Sequence, residues 1–372
     1  MNECIYLDHA ATTFPEEAVI GAMAQCMRET PFNASGAYSA AGDARRIHRL
    51  CRRQLAGMLS CDIAEIVFTS GGTEANNQVL RSFAGAHVVL SAIEHHSVLE
   101  AAKAAGCSIT LVSPDASGFV SPESISRALR PETRLICLMA ANNETGVIQP
   151  VAEVYEIARS RRIHLHVDAV QAFGHIPMSS RICDSMAVSA HKLYGPRGAG
   201  ALFVRAGAKI APLLLGGGQE GGLRAGTENT PAICGFHTAA QMADADMQLR
   251  TEQERALLDA FVLRMQKSGL ILLGQERNRL PGVLALRLPG MSAEQMIAAL
   301  DLRGILISGG AACAVHSGKP SHVYTAMGLS DEEAAQVVRI SIGRHTTAGQ
   351  LDKAASAMES IILQPAHQNT SR

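Results

Sequence analysis

The sequence lacks the features that mark a membrane protein or a nucleic-acid-binding protein. Its 372 residues contain no apolar run that approaches the roughly 20 residues of a membrane-spanning helix. Lysine plus arginine (33) nearly balance aspartate plus glutamate (34), so the net charge of −1 provides no general attraction to nucleic acid or anionic lipid. The first residues, MNECIYLDHAATTFP, carry no basic, apolar signal pattern. We therefore expect a cytoplasmic protein with neither a nucleic-acid nor a membrane partner.

The nine cysteines include no C-x-x-C pair, which argues against a disulfide framework or a zinc site. Most of them are expected to be small buried side chains, as Cys137 is in RLICLMA. Cys313 differs, because it lies in the glycine-rich, partly polar segment ISGGAACAVHSGKPSHV. An inert core cysteine is rarely surrounded in this way, so a reactive thiol is the interpretation that we favour over a buried structural one.

Short apolar runs alternate with helical patterns between about residues 62 and 205. The runs are almost continuously apolar, as strands covered on both faces must be, and the alternation predicts an α/β fold with a doubly wound, mostly parallel sheet. Strands are predicted at 66–70, 87–91, 108–113, 134–140, 164–169, 185–190 and 201–205. Helices are predicted at 73–83, 96–104, 122–130 and 150–161.

The pattern changes after a long helical connector that is predicted at 230–267. Further helices at 292–303, near 331–338 and at 347–362 accompany the strand-like segments GVLALRLPG, ILISGG and RISIG, which indicates a second, smaller α/β domain. The chain is also longer than one hydrophobic core usually supports. We predict a large domain of residues 15–250 and a small domain of residues 1–14 and 251–372 that carries the Cys313 loop.

Ligands of open α/β sheets bind beyond the carboxyl ends of the strands, and three chemically distinct groups lie there in this sequence. After strand 66–70, the turn in GGTEANN, with Gly72 and Thr73, predicts a helix N-terminus that can hold a phosphate. An ordinary tight turn is the alternative, and the absence of G-K-[ST] excludes a nucleotide P-loop.

The strand that ends in HVDAVQ carries His164, His166 and Asp168 on one face. A metal site is one interpretation, and hydrogen-bonded polar residues near a strand end are a better one. A third is that a buried Asp168 holds the nitrogen of a cationic heterocycle. Lys192 follows the strand that ends in SAHK, and it is either a solvated loop lysine or a nucleophile that forms a Schiff base. Phosphate cradle, acid and lysine together are what pyridoxal 5′-phosphate (PLP) requires.

At this point the sequence resembles a known family. The motifs YLDHAATT, FTSGGTEANN, EHHSV, NNETGV, HVDAVQ, SAHKLYGPRG, RAGTENT, GGAAC and RISIG, in this order, are similar to those of the cysteine desulfurases. That group belongs to the class V aminotransferase branch of the fold-type-I PLP enzymes. The resemblance extends over nearly the whole chain. It implies a PLP-dependent transferase fold, a homodimer, L-cysteine as the substrate, and a sulfur-acceptor protein as a partner.

The resemblance also implies roles for individual residues. Lys192 would bind the cofactor covalently, and His95 would stack on the ring and move protons, with His96 as a competing candidate. Arg339 would bind the substrate carboxylate together with Asn33, with Arg344 as the competitor of Arg339. Further contacts to the cofactor would come from Gly72, Thr73, Asn143, Asp168, Gln171, Ser189, His191 and, across the dimer, Thr227; no metal is implied.

The implied reaction removes sulfur from L-cysteine as a persulfide on Cys313, leaves alanine, and serves iron–sulfur cluster or thio-cofactor and tRNA biosynthesis. A selenocysteine lyase or another PLP-dependent lyase is the enzymatic alternative, and a catalytically silent sulfur-relay scaffold is the non-enzymatic one. Two features, the residues after Cys313 and Gly221, depart from the family pattern. His316 and Lys319 follow Cys313 and could help to ionise it, and Gly221 stands where the family usually has an arginine, which leaves acceptor docking open.

Overall fold

The computed structural model describes residues 4–310 and 320–363 as an α/β protein. The strands are β1 (Ile5–Tyr6), β2 (Ile66–Thr69), β3 (His87–Ser91), β4 (Ser108–Val112), β5 (Thr133–Cys137), β6 (His164–Asp168), β7 (Ser185–Ser189), β8 (Gly200–Val204), β9 (Ile271–Leu273), β10 (Val283–Arg287), β11 (Ile305–Leu306) and β12 (Val337–Ser341). The helices are α1 (Glu17–Glu29), α2 (Ala41–Leu59), α3 (Gly72–Ser82), α4 (His96–Ala104), α5 (Pro122–Ala128), α6 (Val151–Ser160), α7 (Thr230–Gln266), α8 (Ala293–Asp301), α9 (His322–Ala326), α10 (Asp331–Ala334) and α11 (Ala348–Leu363).

The main sheet has seven strands in the order β2-β8-β7-β6-β5-β3-β4. Strand β8 runs antiparallel to both of its neighbours, and every other pair is parallel. The predicted doubly wound, mostly parallel sheet is therefore confirmed. The expectation that all its strands are covered on both faces is wrong for β4, which lies at the sheet edge and leaves Leu111 55% exposed.

The long connector is confirmed as α7, a single 37-residue helix capped by the Asn229 side chain. The helix expected near 331–338 is wrong beyond its first turn. Helix α10 ends at Ala334 after a capping box between Ser330 and Glu333, and the chain becomes strand β12 at Val337. The sequence VVRIS explains the change, because its β-branched residues fit a strand that pairs with β10.

The buried apolar side chains of the described residues form three clusters. Two of them include alternating residues of the seven-stranded sheet, such as Phe68 and Phe203 in one and Val67 and Leu202 in the other. The third is formed by α7, α8, α11 and the three-stranded sheet β12-β10-β9, and Leu7 from the N-terminal segment joins it. The predicted division at residues 14 and 250 stays a prediction, although Leu7 supports the assignment of the N-terminal segment to the small unit. No helix in the described ranges has both the length and the apolar character needed to cross a membrane.

Candidate functional site

The carboxyl ends of β6 and β7 and the start of α3 enclose a cavity of about 260 Å³. Ten of the residues that the sequence singles out line this cavity: Gly72, Thr73, His95, Asn143, Asp168, Gln171, Ser189, His191, Lys192 and Arg339. Asn33 and Thr227 do not line it, and both are exposed to solvent. Cys313, His316 and Lys319 lie outside the described residues.

Lys192 is positioned by a short 3-10 turn that follows directly on β7. Its Nζ donates hydrogen bonds to the carbonyl oxygens of Ala10 (2.5 Å) and Ala11 (2.7 Å). Its own carbonyl accepts a hydrogen bond of 2.8 Å from Nε2 of His175. The direction of that bond is set by Arg250, whose guanidinium can only donate to Nδ1 of His175 and so leaves the proton on Nε2. Backbone and amine are thus both held at the edge of the cavity.

The predicted phosphate cradle lies where β2 turns into α3. Gly71 has a φ of +153°, and a Cβ atom at Gly200 would lie 2.6 Å from the Cα of Gly71, so two backbones meet at a distance that only glycine permits. The free N–H groups of the first turn of α3 begin at Gly72 and favour an anion. His191 lies at the same cavity, and burial, followed by the charges of Lys192 and Arg197, lowers its pKa to about 4.

Asp168 ends β6 as a buried carboxylate. Its Oδ1 accepts a hydrogen bond from the backbone N–H of Val170 (3.0 Å), and its Oδ2 accepts one from Nδ2 of Asn76 (2.7 Å). Gln171 is tied to the N-terminal segment by a 2.8 Å bond from its Nε2 to the carbonyl of Ala10. An anion cradle, a buried acid and a lysine amine around one cavity are a donor set that fits PLP.

His95 precedes α4 and faces the same cavity. Its Nδ1 lies 3.1 Å from the backbone N–H of Ser97, which can only donate, so Nδ1 is unprotonated and Nε2 carries the proton. Burial lowers the pKa of His95, and Lys192 contributes in the same direction, while Asp168 opposes it. His96 does not line the cavity, and its ring packs against His322 at 4.7 Å. The geometry therefore favours His95 over His96.

Arg339 projects from β12 into the cavity and is 2% exposed. It donates to Oδ1 of Asp8 (2.6 Å) and to the carbonyl of Asn143 (2.9 Å), while its buried Nε has no partner among the described residues. The competing Arg344 is engaged elsewhere, by ion pairs with Asp246 (2.6 Å) and Glu16 (3.3 Å). The geometry therefore favours Arg339 as the carboxylate-binding arginine.

The metal interpretation of the β6 side chains finds no support. Within residues 4–310 and 320–363, no group of three or more His, Cys, Asp or Glu side chains is placed to hold a metal ion. His164 and His166 instead both contact the Ser185 hydroxyl, at 2.8 and 2.9 Å. They are hydrogen-bonded polar residues, which is the alternative that the sequence favoured.

Sequence reasoning missed seven residues of the cavity wall, and Asn76 and Ser97 are the two of them with polar side chains. The signal for Asn76 was present, because it lies one helical turn after Thr73 and so shares its face of α3. No comparable signal marks Ala10 and Ala11, whose carbonyls meet Lys192 across about half of the chain.

Glu94 provides a test of the buried electrostatics beside this site. Its Oε1 accepts hydrogen bonds from Ser91 (2.6 Å) and from the N–H of Met139 (2.7 Å), and burial raises the pKa of this carboxyl to about 8. Between the ordinary pKa and pH 8, the folded state binds more protons than the unfolded state, so stability falls as the pH rises. Glu94→Gln keeps both bonds and removes the titration. We expect the wild type to lose about 3 kcal/mol more unfolding free energy than the variant between pH 6 and 8.5.

Urea denaturation of both proteins at the two pH values measures this difference. Glu100→Gln is the matched control, because Glu100 is an exposed carboxylate on the adjacent helix α4. Parallel loss of stability in wild type and Glu94→Gln would show that Glu94 is already ionised in the folded protein.

Comparison with known proteins agrees with this geometry. The sequence model of the family described as Aminotransferase class-V matches residues 5–354. The chain is 38% identical to "Cysteine desulfurase IscS" of Dictyoglomus turgidum, over 97% of this chain and 95% of that protein. It is 37% identical to "Putative cysteine desulfurase IscS 1" of Bacillus subtilis, over 97% and 99% of the two chains.

Solved structures give the same result. A NifS-like protein from Rickettsia africae superposes with a TM-score of 0.90 at 31% identity, covering 96% of this chain and 99% of that one. A structure titled "SspA in complex with cysteine" superposes with a TM-score of 0.81 at 32% identity, covering 92% and 100%. The resemblance seen in the sequence motifs is confirmed: the chain belongs to the class-V aminotransferase family and, within it, to the cysteine desulfurases.

Proposed function

We propose that this protein binds PLP in the 260 Å³ cavity and uses it to transfer sulfur from L-cysteine to Cys313. The observation that carries the proposal is the convergence of the Lys192 amine, the buried Asp168 carboxylate and the glycine-built start of α3 on one cavity. None of these groups alone identifies a cofactor. Together they match the amine-reactive, basic and anionic parts of a single one.

Individual side chains would divide the work of holding that cofactor. The N–H groups at Gly72 and Thr73 with Ser189 and His191 would bind the phosphate, and Asp168 would pair with the ring nitrogen. Asn143 and Gln171 would contact the ring hydroxyl, and His95 would lie against the ring. When bound, PLP supplies an electron sink that stabilises negative charge at the substrate Cα.

Lys192 then has two tasks, to bind the cofactor and, once released, to move the proton of the substrate Cα. Its anchoring through Ala10, Ala11 and the His175–Lys192 carbonyl bond keeps the amine within reach of the cavity. Arg339 would bind the substrate carboxylate, since a bidentate guanidinium in a dry site fixes a carboxylate strongly. Asn33 would have to approach from outside the cavity to share that role.

The sulfur step involves Cys313. Its thiolate would attack the sulfur of the bound cysteine, so that an S–S bond forms as the Cβ–S bond breaks, and the electron pair of that bond stays with the carbon skeleton. Protonation of that skeleton gives alanine. L-cysteine plus the Cys313 thiol thus become alanine plus a Cys313 persulfide, with no external oxidant or reductant. An acceptor protein would then take the terminal sulfur for iron–sulfur cluster or thio-cofactor and tRNA assembly.

We further propose a cytoplasmic homodimer in which Thr227 completes the phosphate site of the partner subunit. The position of Thr227 supports this proposal, because it is exposed and lies outside its own cavity. The division into residues 15–250 and residues 1–14 with 251–372 would place PLP on the large unit and Cys313 on the small one.

The test is to purify the protein with PLP, record its near-visible absorption, and incubate it with L-cysteine. We expect a coloured protein, alanine without reductant, sulfide with reductant, and a mass increase of one sulfur atom on the peptide that contains Cys313. A colourless protein overturns the proposal. Pyruvate, ammonia and sulfide in place of alanine indicate a simple β-eliminating lyase. Faster turnover of selenocysteine indicates the selenocysteine lyase, and colour without turnover indicates the silent scaffold.

A further inference from the structure

A continuous line of hydrogen bonds runs behind the cavity from His164, at the start of β6, to Asp168 at its end. Nε2 of His164 lies 2.8 Å from the Ser185 hydroxyl, which lies 2.9 Å from Nδ1 of His166. Nε2 of His166 lies 2.9 Å from Oδ1 of Asn76, and Nδ2 of Asn76 lies 2.7 Å from Oδ2 of Asp168. Ser185, His166 and Asn76 are fully buried, so water does not compete with the bonds that join these three side chains.

Every bond in this line has a fixed direction. A carboxylate only accepts, so the NH₂ group of Asn76 must face Asp168 and its oxygen must face His166. His166 therefore donates through Nε2. Burial lowers the pKa of His166 to about 3, so the ring is neutral, and its Nδ1 accepts the hydroxyl proton of Ser185. The hydroxyl in turn accepts from His164. In all four bonds the donated hydrogen is directed toward the Asp168 end of the line.

Asn76 has a second arm that leads to His95. The other hydrogen of its NH₂ group goes to the Ser97 hydroxyl, at 2.8 Å. Because that hydroxyl oxygen accepts from Asn76, its own proton is free to point at Nδ1 of His95, which lies 2.8 Å away. One amide group is thus bonded to the carboxylate on one side and, through a single hydroxyl, to the histidine on the other.

We propose that Asn76, oriented by His166, is a positioning residue that holds the side chains of Asp168 and His95 in the orientations that the cofactor requires. The inference rests on the proposed function, because the partner of both side chains is PLP. Asn76 acts through the other two groups, so it is not itself catalytic. A buried polar line that is fully hydrogen-bonded selects one arrangement of its end groups, whereas a partly bonded one does not.

The experiment compares Asn76→Leu with Asn77→Ala. The leucine fills a similar volume without donating to Asp168 or Ser97. Asn77 is the adjacent residue of α3, and its amide bonds to the backbone carbonyls of Thr73 and Ser97, so its loss removes no bond to the Asp168 carboxylate or to the Ser97 hydroxyl. We expect Asn76→Leu to weaken PLP binding about tenfold or more, the equivalent of one lost hydrogen bond to a charge, and Asn77→Ala to leave it unchanged. We also expect Asn76→Leu to move the pH midpoint of the near-visible absorption band.

A second pair of variants covers the case in which Asn76→Leu does not fold. His166→Gln can still donate to Asn76, whereas His166→Leu cannot, so only the leucine variant should shift the band. In addition, ¹⁵N NMR of histidine-labelled protein without cofactor should show His166 protonated at Nε2 alone. Protonation at Nδ1, or identical spectra and PLP affinities in the glutamine and leucine variants, would overturn the inference. If the wild type itself does not bind PLP, the proposed function fails instead, and the NMR result still tests the hydrogen-bond direction.

Discussion

Replacing Lys192 by alanine is expected to reduce sulfur release from L-cysteine by about a thousandfold or more, because it removes both the covalent bond to the cofactor and the base for the Cα proton. The cavity should survive the change. The Lys192 carbonyl that accepts from His175 belongs to the backbone and remains in the variant. Among the side-chain bonds that are lost, those to the Ala10 and Ala11 carbonyls lie at the edge of the cavity, where water can replace the amine.

The measurement combines sulfide release in the presence of reductant with the near-visible absorption of the protein after addition of PLP. The expected variant is folded, binds PLP only reversibly, and loses the absorption of the covalently bound cofactor after gel filtration. Lys209→Ala is the matched control, since Lys209 is an exposed lysine that lies outside the cavity. If Lys192→Ala retained more than a tenth of the wild-type rate, Lys192 would not be the cofactor lysine.

The position of this lysine could be predicted because its signals are local. The apolar run of β7 ends at Ser189, and the carboxyl end of a parallel strand is where open sheets bind ligands. The same reasoning placed Asp168 at the end of β6 and the glycine turn at the end of β2. The end of each apolar run shows which residues lie at the carboxyl end of a strand. The sheet then brings those strand ends together.

What could not be predicted depends on contacts between distant parts of the chain. The carbonyls of Ala10 and Ala11 carry no chemical signal, and they meet Lys192 only because the N-terminal segment crosses the cavity. The exposure of β4 results from its position at the edge of the sheet. The composition of the strand does not encode that position. The predicted length of helix α10 is too great. The acidic first turn after Ser330 marks where the helix starts, but its early end is decided by the pairing of β12 with β10.

Glu144 is a buried carboxyl beside the described residues that flank the Cys313 segment. The Ser321 hydroxyl donates to Oε2 of this buried carboxyl at 2.6 Å, and a Cβ atom at Gly310 would lie 2.9 Å from the same oxygen. Gly310 and Ser321, the described residues on the two sides of the Cys313 segment, therefore both lie beside this carboxyl. Ser308 also pairs with the backbone of Arg339 in the cavity wall. Cys313 follows Ser308 by five positions in the sequence and lies outside the described residues.

Changing Cys313 to serine is expected to separate cofactor binding from sulfur transfer. The variant should bind PLP with wild-type affinity and absorption, because every described residue that lines the cavity is unchanged. Alanine formation from L-cysteine should fall about a hundredfold or more, since a serine hydroxyl is a far weaker nucleophile than a thiolate toward sulfur. Lys192→Ala differs from this variant, because it is expected to lose the near-visible absorption together with turnover.

The measurement is alanine production with and without reductant, accompanied by mass spectrometry of the persulfide-bearing peptides. Cys4→Ser is the control, because Cys4 is an exposed thiol that can accept sulfur by exchange from a persulfide formed elsewhere in the protein. The persulfide should be present in Cys4→Ser and absent from Cys313→Ser. Undiminished alanine formation in Cys313→Ser would mean that another thiol, such as the added reductant or a second L-cysteine, accepts the substrate sulfur, and Cys313 would then not be the acceptor.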